Sequence, residues 1–296
     1  MVSDKLESPQ VILIVGPTAS GKTEYSLKLA KKLKGEIISA DSMQAYVGMD
    51  IGTSKPSLKQ MQTVPHHLIN ILKPNEEYSA ALFREEAGRA IEDIIKRKKQ
   101  PIIVGGSGLY IKALVDGIFE GPSADWKLRR RLQKEAERYG NEFLYERLKK
   151  LDPKAALKIA SQNTRRIIRA LEVIEKTKKL FSQLKLKTKG IASKYAIKMI
   201  GLAMPREKLY KRIDERADRM FEDGLVKEVK GILKKYSPLS RTASQALGYK
   251  EVIGYLNNLH TLEEAIRLTK RNTRHFAKRQ LTWFRNDPRV RWYPAS

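Results

Sequence analysis

Cysteine is absent from all 296 residues. That removes disulfides, thiolate zinc sites, iron–sulfur clusters and cysteine nucleophiles together, so any chemistry must rest on carboxylates, hydroxyls, lysines, arginines or an oxygen-liganded metal. Long apolar runs are missing too. None approaches the roughly 18–20 residues of a membrane span, and the stretch Met1 to Gln10 is short and mixed in charge, without the apolar segment of a signal peptide. A cytoplasmic protein without membrane contact is expected. Acidic charge is scarce, with 33 Asp plus Glu against 59 Lys plus Arg and a net +26. Such a field attracts polyanions and releases their counterions on contact, so nucleic acid leads as partner class over a merely solubilising basic surface. Internal repeats and low-complexity segments are also lacking. The 41% of hydrophobic residues can bury one substantial core, with a smaller second lobe.

Against these absences stands a regular alternation of patterns. Val11 to Val15 is a continuous apolar run ended by Gly16, as expected of a parallel strand buried on both faces. Glu36 to Ala40, Pro101 to Val104 and Tyr195 to Leu202 read as further strands, and Lys22 to Leu33, Ser79 to Lys99 and Leu109 to Val115 as helices between them. Strand, loop and helix in this order predict an α/β fold, a doubly wound parallel sheet. The stretch from about Glu120 to Lys194 is instead charged and helical in spacing (Leu128, Leu132, Phe143, Leu144, Leu148, Leu151), with Gly190 near its exit. It reads as a helical insertion domain, 120–194, within a core formed by 1–119 and 195–296. After Met204-Pro205, with Pro in a helix's first turn, the chain stays helical nearly to its end.

Gly16-Pro17-Thr18-Ala19-Ser20-Gly21-Lys22-Thr23 fits G-x-x-x-x-G-K-[ST] between an apolar strand and a helix, the context a phosphate-binding loop requires. Glycines let backbone amides turn inward, the helix N-terminus adds positive potential, Lys22 adds a full charge, and the Thr23 hydroxyl can hold magnesium (Mg²⁺). ATPases and kinases with such a loop usually carry an acid after a later apolar strand. Here Ile102-Ile103-Val104 ends in Gly105-Gly106-Ser107-Gly108, and the carboxylate that follows a strand is Asp41, in Asp41-Ser42-Met43-Gln44. That argues against simple hydrolysis, although some small-molecule kinases place their acids elsewhere.

GPTASGKT at Gly16, ADSMQAY at Ala40, GMDIGTSKP at Gly48, VPHHLI at Val64, YSAALF at Tyr78, VGGSGLY at Val104, NTRRIIRALEV at Asn163, GY at Gly248 and AKRQLTWFR at Ala277 together resemble the tRNA dimethylallyltransferases over nearly the whole chain. The resemblance implies transfer of a five-carbon prenyl group from dimethylallyl diphosphate to the exocyclic amine of the adenine 3′ of the anticodon. An exocyclic adenine amine is a poor nucleophile, so a carboxylate that accepts its proton is useful. By resemblance Asp41 is that base and the Ser107 hydroxyl orients the same amine, against a plain turn role for Ser107. Lys22, the loop amides, Thr23 with Mg²⁺, and Arg216 would neutralise the departing diphosphate. Arg216 has the alternative of pairing with Asp214, Glu215 or Asp218.

A base that undergoes chemistry must leave its stack and enter a pocket. By resemblance Asp41, Ser42, Met43 and Gln44 line the channel it enters, with Gln44 able to read an adenine edge. Arg129 and the run Arg165, Arg166, Ile167, Ile168, Arg169 match positions that contact the tRNA anticodon stem-loop. Near the C-terminus Arg267, Arg271, Arg274 and Lys278 recur at helical spacing beside a mainly apolar face of Leu262, Ile266, Thr269, Thr273 and Phe276. One face would dock on the core, and the other, with Arg279 and Gln280, would track phosphates. His66 and His67 lack a third ligand at metal spacing and read as structural. No cysteine exists with which to build the zinc finger of eukaryotic relatives, which implies the bacterial type; a monomer is expected. Three other readings share the loop: a P-loop kinase, an adenylate isopentenyltransferase acting on a free nucleotide, and a basic RNA-binding protein without chemistry. The missing acid weakens the first, the insertion and basic helix the second, and Asp41 with Ser107 the third.

Overall fold

The computed structural model describes residues 9–119, 121–184 and 189–295. The N-terminal stretch Met1 to Gln10 lies outside them except for its last two residues, as does Glu120 at the expected edge of the insertion. The chain divides into two compact units, Met1–Asp116 with Gly190–Ser296, and Gly117–Lys189.

In chain order, β1 (Gln10–Val15) leads through the glycine loop into α1 (Lys22–Leu33), followed by β2 (Gly35–Ser39). A loop excursion then carries α2 (Leu58–Thr63), closed by a Ser57–Gln60 capping box, and the two-residue β3 (His66–His67). Ser79 caps α3 (Ala80–Lys96), which precedes β4 (Gln100–Gly105) and α4 (Gly108–Asp116). The second unit holds α5 (Trp126–Tyr139), α6 (Asn141–Leu151), α7 (Pro153–Ala156) and α8 (Thr164–Thr177). The chain re-enters the sheet as β5 (Ala196–Ala203) and continues through α9 (Arg206–Glu222), α10 (Leu225–Tyr236), α11 (Arg241–Ser244), α12 (Tyr249–Leu256) and α13 (Leu262–Arg285) to β6 (Val290–Pro294).

The six strands form one parallel sheet in the order β3-β2-β4-β1-β5-β6. Alternate residues of β1 explain why helices cover both sides. Ile12 and Ile14 join Ile37, Ile102, Ile200 and Ala30 of α1 in one core, while Val11, Leu13 and Val15 are as fully buried on the opposite pleat. The four strands read from apolar runs are the central four. The edges β3 and β6 were not anticipated, because His66-His67 and Val290-Arg291-Trp292-Tyr293-Pro294 carry no apolar run. Hence the C-terminal region is helical only as far as Arg285. Pro205 is the N-cap of α9 rather than part of its first turn.

Beneath the edge strand a buried carboxylate is fully matched. Glu36 on β2, 4% exposed, accepts two hydrogen bonds from Arg97, one of them at 2.9 Å, and lies 2.7 Å from His67 Nε2. The Arg97 hydrogen bonds hold its pKa down to about 2, from an ordinary value near 4.5. A depressed acid stabilises the fold above its unfolded value and loses that contribution as pH falls through the folded one, here between about pH 4.5 and 2. Because Arg97 is itself 43% exposed, screening reduces the effect to about 1–2 kcal/mol. Glu36→Gln is expected to lose that much at pH 7 and to flatten the acid limb of urea-unfolding stability; parallel limbs in both proteins would contradict the assignment.

The second unit is closed by its own core of Leu132, Leu144, Leu148, Ile167 and Leu171. Above it Glu172, with no exposed surface, accepts from Arg129 Nε and Nη2 at 2.8 and 2.7 Å, from Arg169 Nη1 at 2.5 Å and from the Asp125 amide at 2.7 Å. A carboxylate so enclosed is tolerable only with this full set of donors.

Candidate active site

Three loops meet at the carboxyl ends of β1, β2 and β4, where open α/β sheets place their ligand sites. The Ala40 amide donates to Val104 O at 2.7 Å, extending the β2–β4 pairing past the end of β2. Gly105 then passes so close that a Cβ there would stand 2.4 Å from Ala40 O, a contact no side chain permits. The turn containing Asp41 is thereby pressed against the turn containing Ser107. A cavity of about 350 Å³ opens above them. Thr18 to Thr23 line one end, Ser39, Asp41 and Gln44 a second wall, Thr53, Ser54 and Pro56 a third, and Arg212, Arg216 and Gln280 reach in from α9 and α13.

The cavity is charged before any ligand enters. Lys22 donates to Pro17 O at 2.5 Å within its own loop, and burial lowers its pKa to about 7, with Arg216 adding to the effect and Asp41 opposing it. Arg216 donates to Thr18 Oγ1 at 3.3 Å; burial lowers its pKa too, opposed by Asp41. Two of the three carboxylates offered as partners are engaged elsewhere, Asp214 with Arg274 and Asp218 with Lys270, both at 2.7 Å. Lys22, Arg216 and Asp41 thus share a partly desolvated space whose walls also carry Arg212 and Glu24, an excess of basic groups suited to a polyanionic group. The Asp41 carboxylate is oriented by its own turn, Oδ1 accepting from the Met43 amide at 2.9 Å.

The remaining expected residues divide by location. Gly16 and Pro17 are buried behind the cavity rather than on its wall. Ser42 and Met43 are partly exposed beside Asp41. Ser107 immediately follows the lining residue Gly106, and its carbonyl receives the first turn of α4 from Tyr110 and Ile111. The Gln44 amide, expected to read a base, is engaged within the protein: Oε1 accepts from Ser39 Oγ at 2.9 Å and Nε2 points to Thr53 O and Ser54 O at 3.4 and 3.5 Å. Those last two contacts are long, so Nε2 keeps hydrogen-bonding capacity.

Among the residues expected on RNA, Arg165, Arg166, Lys278 and Arg279 are exposed. Others differ from expectation. Ile167 and Ile168 lie in the core of the second unit, and Arg129 and Arg169 are held by Glu172. Arg274 donates from Nη1 to both oxygens of Asp214 and lies 5.9 Å from the centre of the Tyr210 ring, and Arg267 pairs with Glu264. Gln280 is buried, because the inner face of α13 runs through Ala265, Thr269, Ala277, Gln280 and Phe284. The expected apolar face lies partly beside that row. Small and polar side chains against the core hid the true phase of the helix from an apolar count.

Several contributors escaped the sequence reading. Arg212 stands one turn before Arg216 and lines the same cavity, which helical spacing alone could have suggested. The wall from Thr53 to Pro56 is braced from behind. Glu228 accepts from the Ile51 amide at 2.8 Å and the Tyr249 hydroxyl at 2.5 Å, and Lys55 donates to Tyr46 O, Asp50 Oδ1 and Asn70 Oδ1 at 2.6–2.7 Å. Such long-range bracing has no local signal. His66 and His67 hold Val64 O and Glu36, and no group of three potential metal-ligating side chains occurs among the described residues. Nor is any helix among them long and apolar enough to cross a membrane.

A phosphate-cradling loop at the switch between parallel strands, with cations gathered over it, defines a P-loop α/β protein. Within that class the comparisons are specific. The family model for IPP transferase matches residues 44–287, and the chain belongs to that family. It is 50% identical over 291 residues to the tRNA dimethylallyltransferase of Halothermothrix orenii, covering 98% of this chain and 89% of the relative. With that of Carboxydothermus hydrogenoformans it shares 52% over 289 residues, 97% and 93% of the two chains. The crystal structure of the full-length tRNA isopentenylpyrophosphate transferase from Bacillus halodurans matches with a TM-score of 0.71 at 45% identity, over 98% and 90%. A eukaryotic dimethylallyltransferase acting on tRNA matches with a TM-score of 0.79 at 33% identity, covering 98% of this chain and 74% of that one.

Proposed function

We propose that this chain transfers a dimethylallyl group from dimethylallyl diphosphate to the exocyclic amine of the adenine 3′ of the anticodon in tRNA, releasing diphosphate. One observation carries the reading. β4, the neighbour of β1, delivers Gly105 and Gly106 to the cavity, with Ser107 next in the chain, in place of an acid, while the carboxylate that follows a strand into the cavity is Asp41 at the end of β2. A hydrolase would need its acid near the attacking water. A prenyl transfer needs a base near the acceptor and cations around the leaving group.

The amine nitrogen bonds to the allylic carbon as the carbon–oxygen bond breaks, the electron pair leaves with diphosphate, and the amine proton passes to Asp41. Its Oδ1 is held by the Met43 amide, and we assign the proton to the second oxygen. Lys22, Arg216 and the amides from Thr18 to Thr23 receive the charge that develops on diphosphate, and Arg212 extends this cationic wall. Ser107 orients the amine. The residues present also fit a magnesium ion: Thr23 offers a hydroxyl on the cavity wall, no all-protein cage surrounds it, and Mg²⁺ characteristically takes few protein ligands together with substrate phosphate oxygens and water. The ion would supply further neutralisation of the diphosphate. The exposed Lys278, Arg279, Arg165 and Arg166 support contact with RNA phosphates, in keeping with the net charge.

The test is direct. Incubation with radiolabelled dimethylallyl diphosphate, Mg²⁺ and undermodified tRNA is expected to place label in the RNA, with one diphosphate released per transfer. Absence of label accompanied by turnover of ATP would replace this reading with that of a kinase.

A further inference from the structure

α13 does more than carry basic side chains on its outer face. Gln280 is 6% exposed and lies between two loops far apart in sequence. Its Oε1 accepts from the Thr18 amide at 2.8 Å, and its Nε2 donates to Gly106 O at 3.0 Å. One side-chain amide therefore ties the phosphate loop to the turn that bears Ser107. The fit leaves no slack on the turn side, since a Cβ on Gly106 would stand 2.0 Å from Gln280 Nε2. One turn further along α13, Trp283 lies against Gly108, where a Cβ would come within 2.4–2.5 Å of three indole atoms. Gln280 and Trp283, three residues apart on one helix face, thus grip the two residues that flank Ser107.

We infer that Gln280 is a positioning residue for the transfer rather than a contact for tRNA: it sets the distance between the diphosphate cradle and Ser107. The inference rests on the proposed function for what the two loops do, but the tie itself is a property of the free protein. Its two arms have separable consequences. Losing the Thr18 arm loosens the loop that holds the donor. Losing the Gly106 arm lets the acceptor turn drift while the donor stays bound, and a misplacement of about 1 Å costs on the order of a hundredfold in rate.

Gln280→Glu keeps an acceptor for Thr18 but presents no donor to Gly106 O at pH 8, whereas Gln280→Leu removes both. Amide hydrogen exchange at Thr18, donor KM, kcat and the dissociation constant for tRNA would be measured for the full chain and both variants. In Gln280→Leu the Thr18 amide is expected to exchange at least about tenfold faster, with kcat down about a hundredfold and donor KM up. In Gln280→Glu, Thr18 stays protected while kcat at saturating donor falls about tenfold, the loss expected when the acceptor turn moves; the added carboxylate raises donor KM by repelling the diphosphate, so the positioning effect is read from kcat. Both variants are expected to bind tRNA within about twofold of the parent. Unchanged Thr18 exchange in the Leu variant, or a tenfold loss of tRNA affinity with kcat intact, would overturn the inference. If the Leu variant does not fold, Gln280→Glu decides: parental kcat at saturating donor with Thr18 still protected would overturn the inference. Should the parent protein itself fail to modify tRNA, the transferase reading falls, and the tie is still judged by exchange at Thr18.

Discussion

Asp41→Asn is expected to lower kcat for prenyl transfer by about 10²–10⁴-fold, the range contributed by a positioned general base, while tRNA affinity and fold stability remain near those of the parent. The argument turns on what the substitution preserves. Asn keeps a side-chain oxygen for the Met43 amide, now met at 2.9 Å by Oδ1, so the Asx turn that shapes residues 41–44 survives. It removes the capacity to take a proton. The change also removes a negative charge that opposes the lowering of the Lys22 and Arg216 pKa values. Donor binding is therefore expected to shift as well, and single-turnover measurement with saturating donor isolates the chemical step. A variant with parental single-turnover rate would remove Asp41 from the base role and leave it as a counter-ion for the two cations.

Much of this site is legible in sequence because its parts are local. A glycine loop between an apolar strand and a helix is one short segment, and the helix from Lys22 to Leu33 has the expected bounds. The Asp41 turn and the Gly105-Gly106-Ser107 turn likewise announce themselves as strand ends followed by small or polar residues. What could not be read is which partner each polar side chain would choose. Arg129 and Arg169 look like phosphate ligands until Glu172 is seen buried between them, and Arg274 until Asp214 is found on the adjoining helix. Gln280 is the sharpest case. Glutamine beside Lys278 and Arg279 reads as part of a basic surface, yet its position on α13 points it inward, and its partners lie 262 and 174 residues away. The short edge strands were missed for a related reason: pairing with β2 and β5 makes them strands, and no apolar pattern of their own does so.

Lys22→Met is expected to lower kcat/KM for the donor by about 10²–10³-fold, the usual effect of deleting one charge-stabilising donor, and its pH dependence makes the cause identifiable. In the free protein burial, assisted by Arg216, brings the Lys22 pKa down to about 7. Below that pH the ammonium is already charged and donor affinity is expected to be flat. A diphosphate seated in the loop raises the pKa again, since an adjacent anion favours the charged form. Above pH 7 binding must therefore take up one proton, and log KM for the donor is expected to rise with a slope approaching one per pH unit. Lys22→Met removes the titrating group, and with it both the affinity and the slope. Lys22→Arg separates charge from titration: guanidinium stays charged throughout the range, so donor KM should become nearly independent of pH while part of the rate is retained. A donor KM for the parent protein that is flat from pH 6 to 9 would show that the ammonium meets the diphosphate already charged, and a slope that persists in Lys22→Arg would show that another group carries the proton.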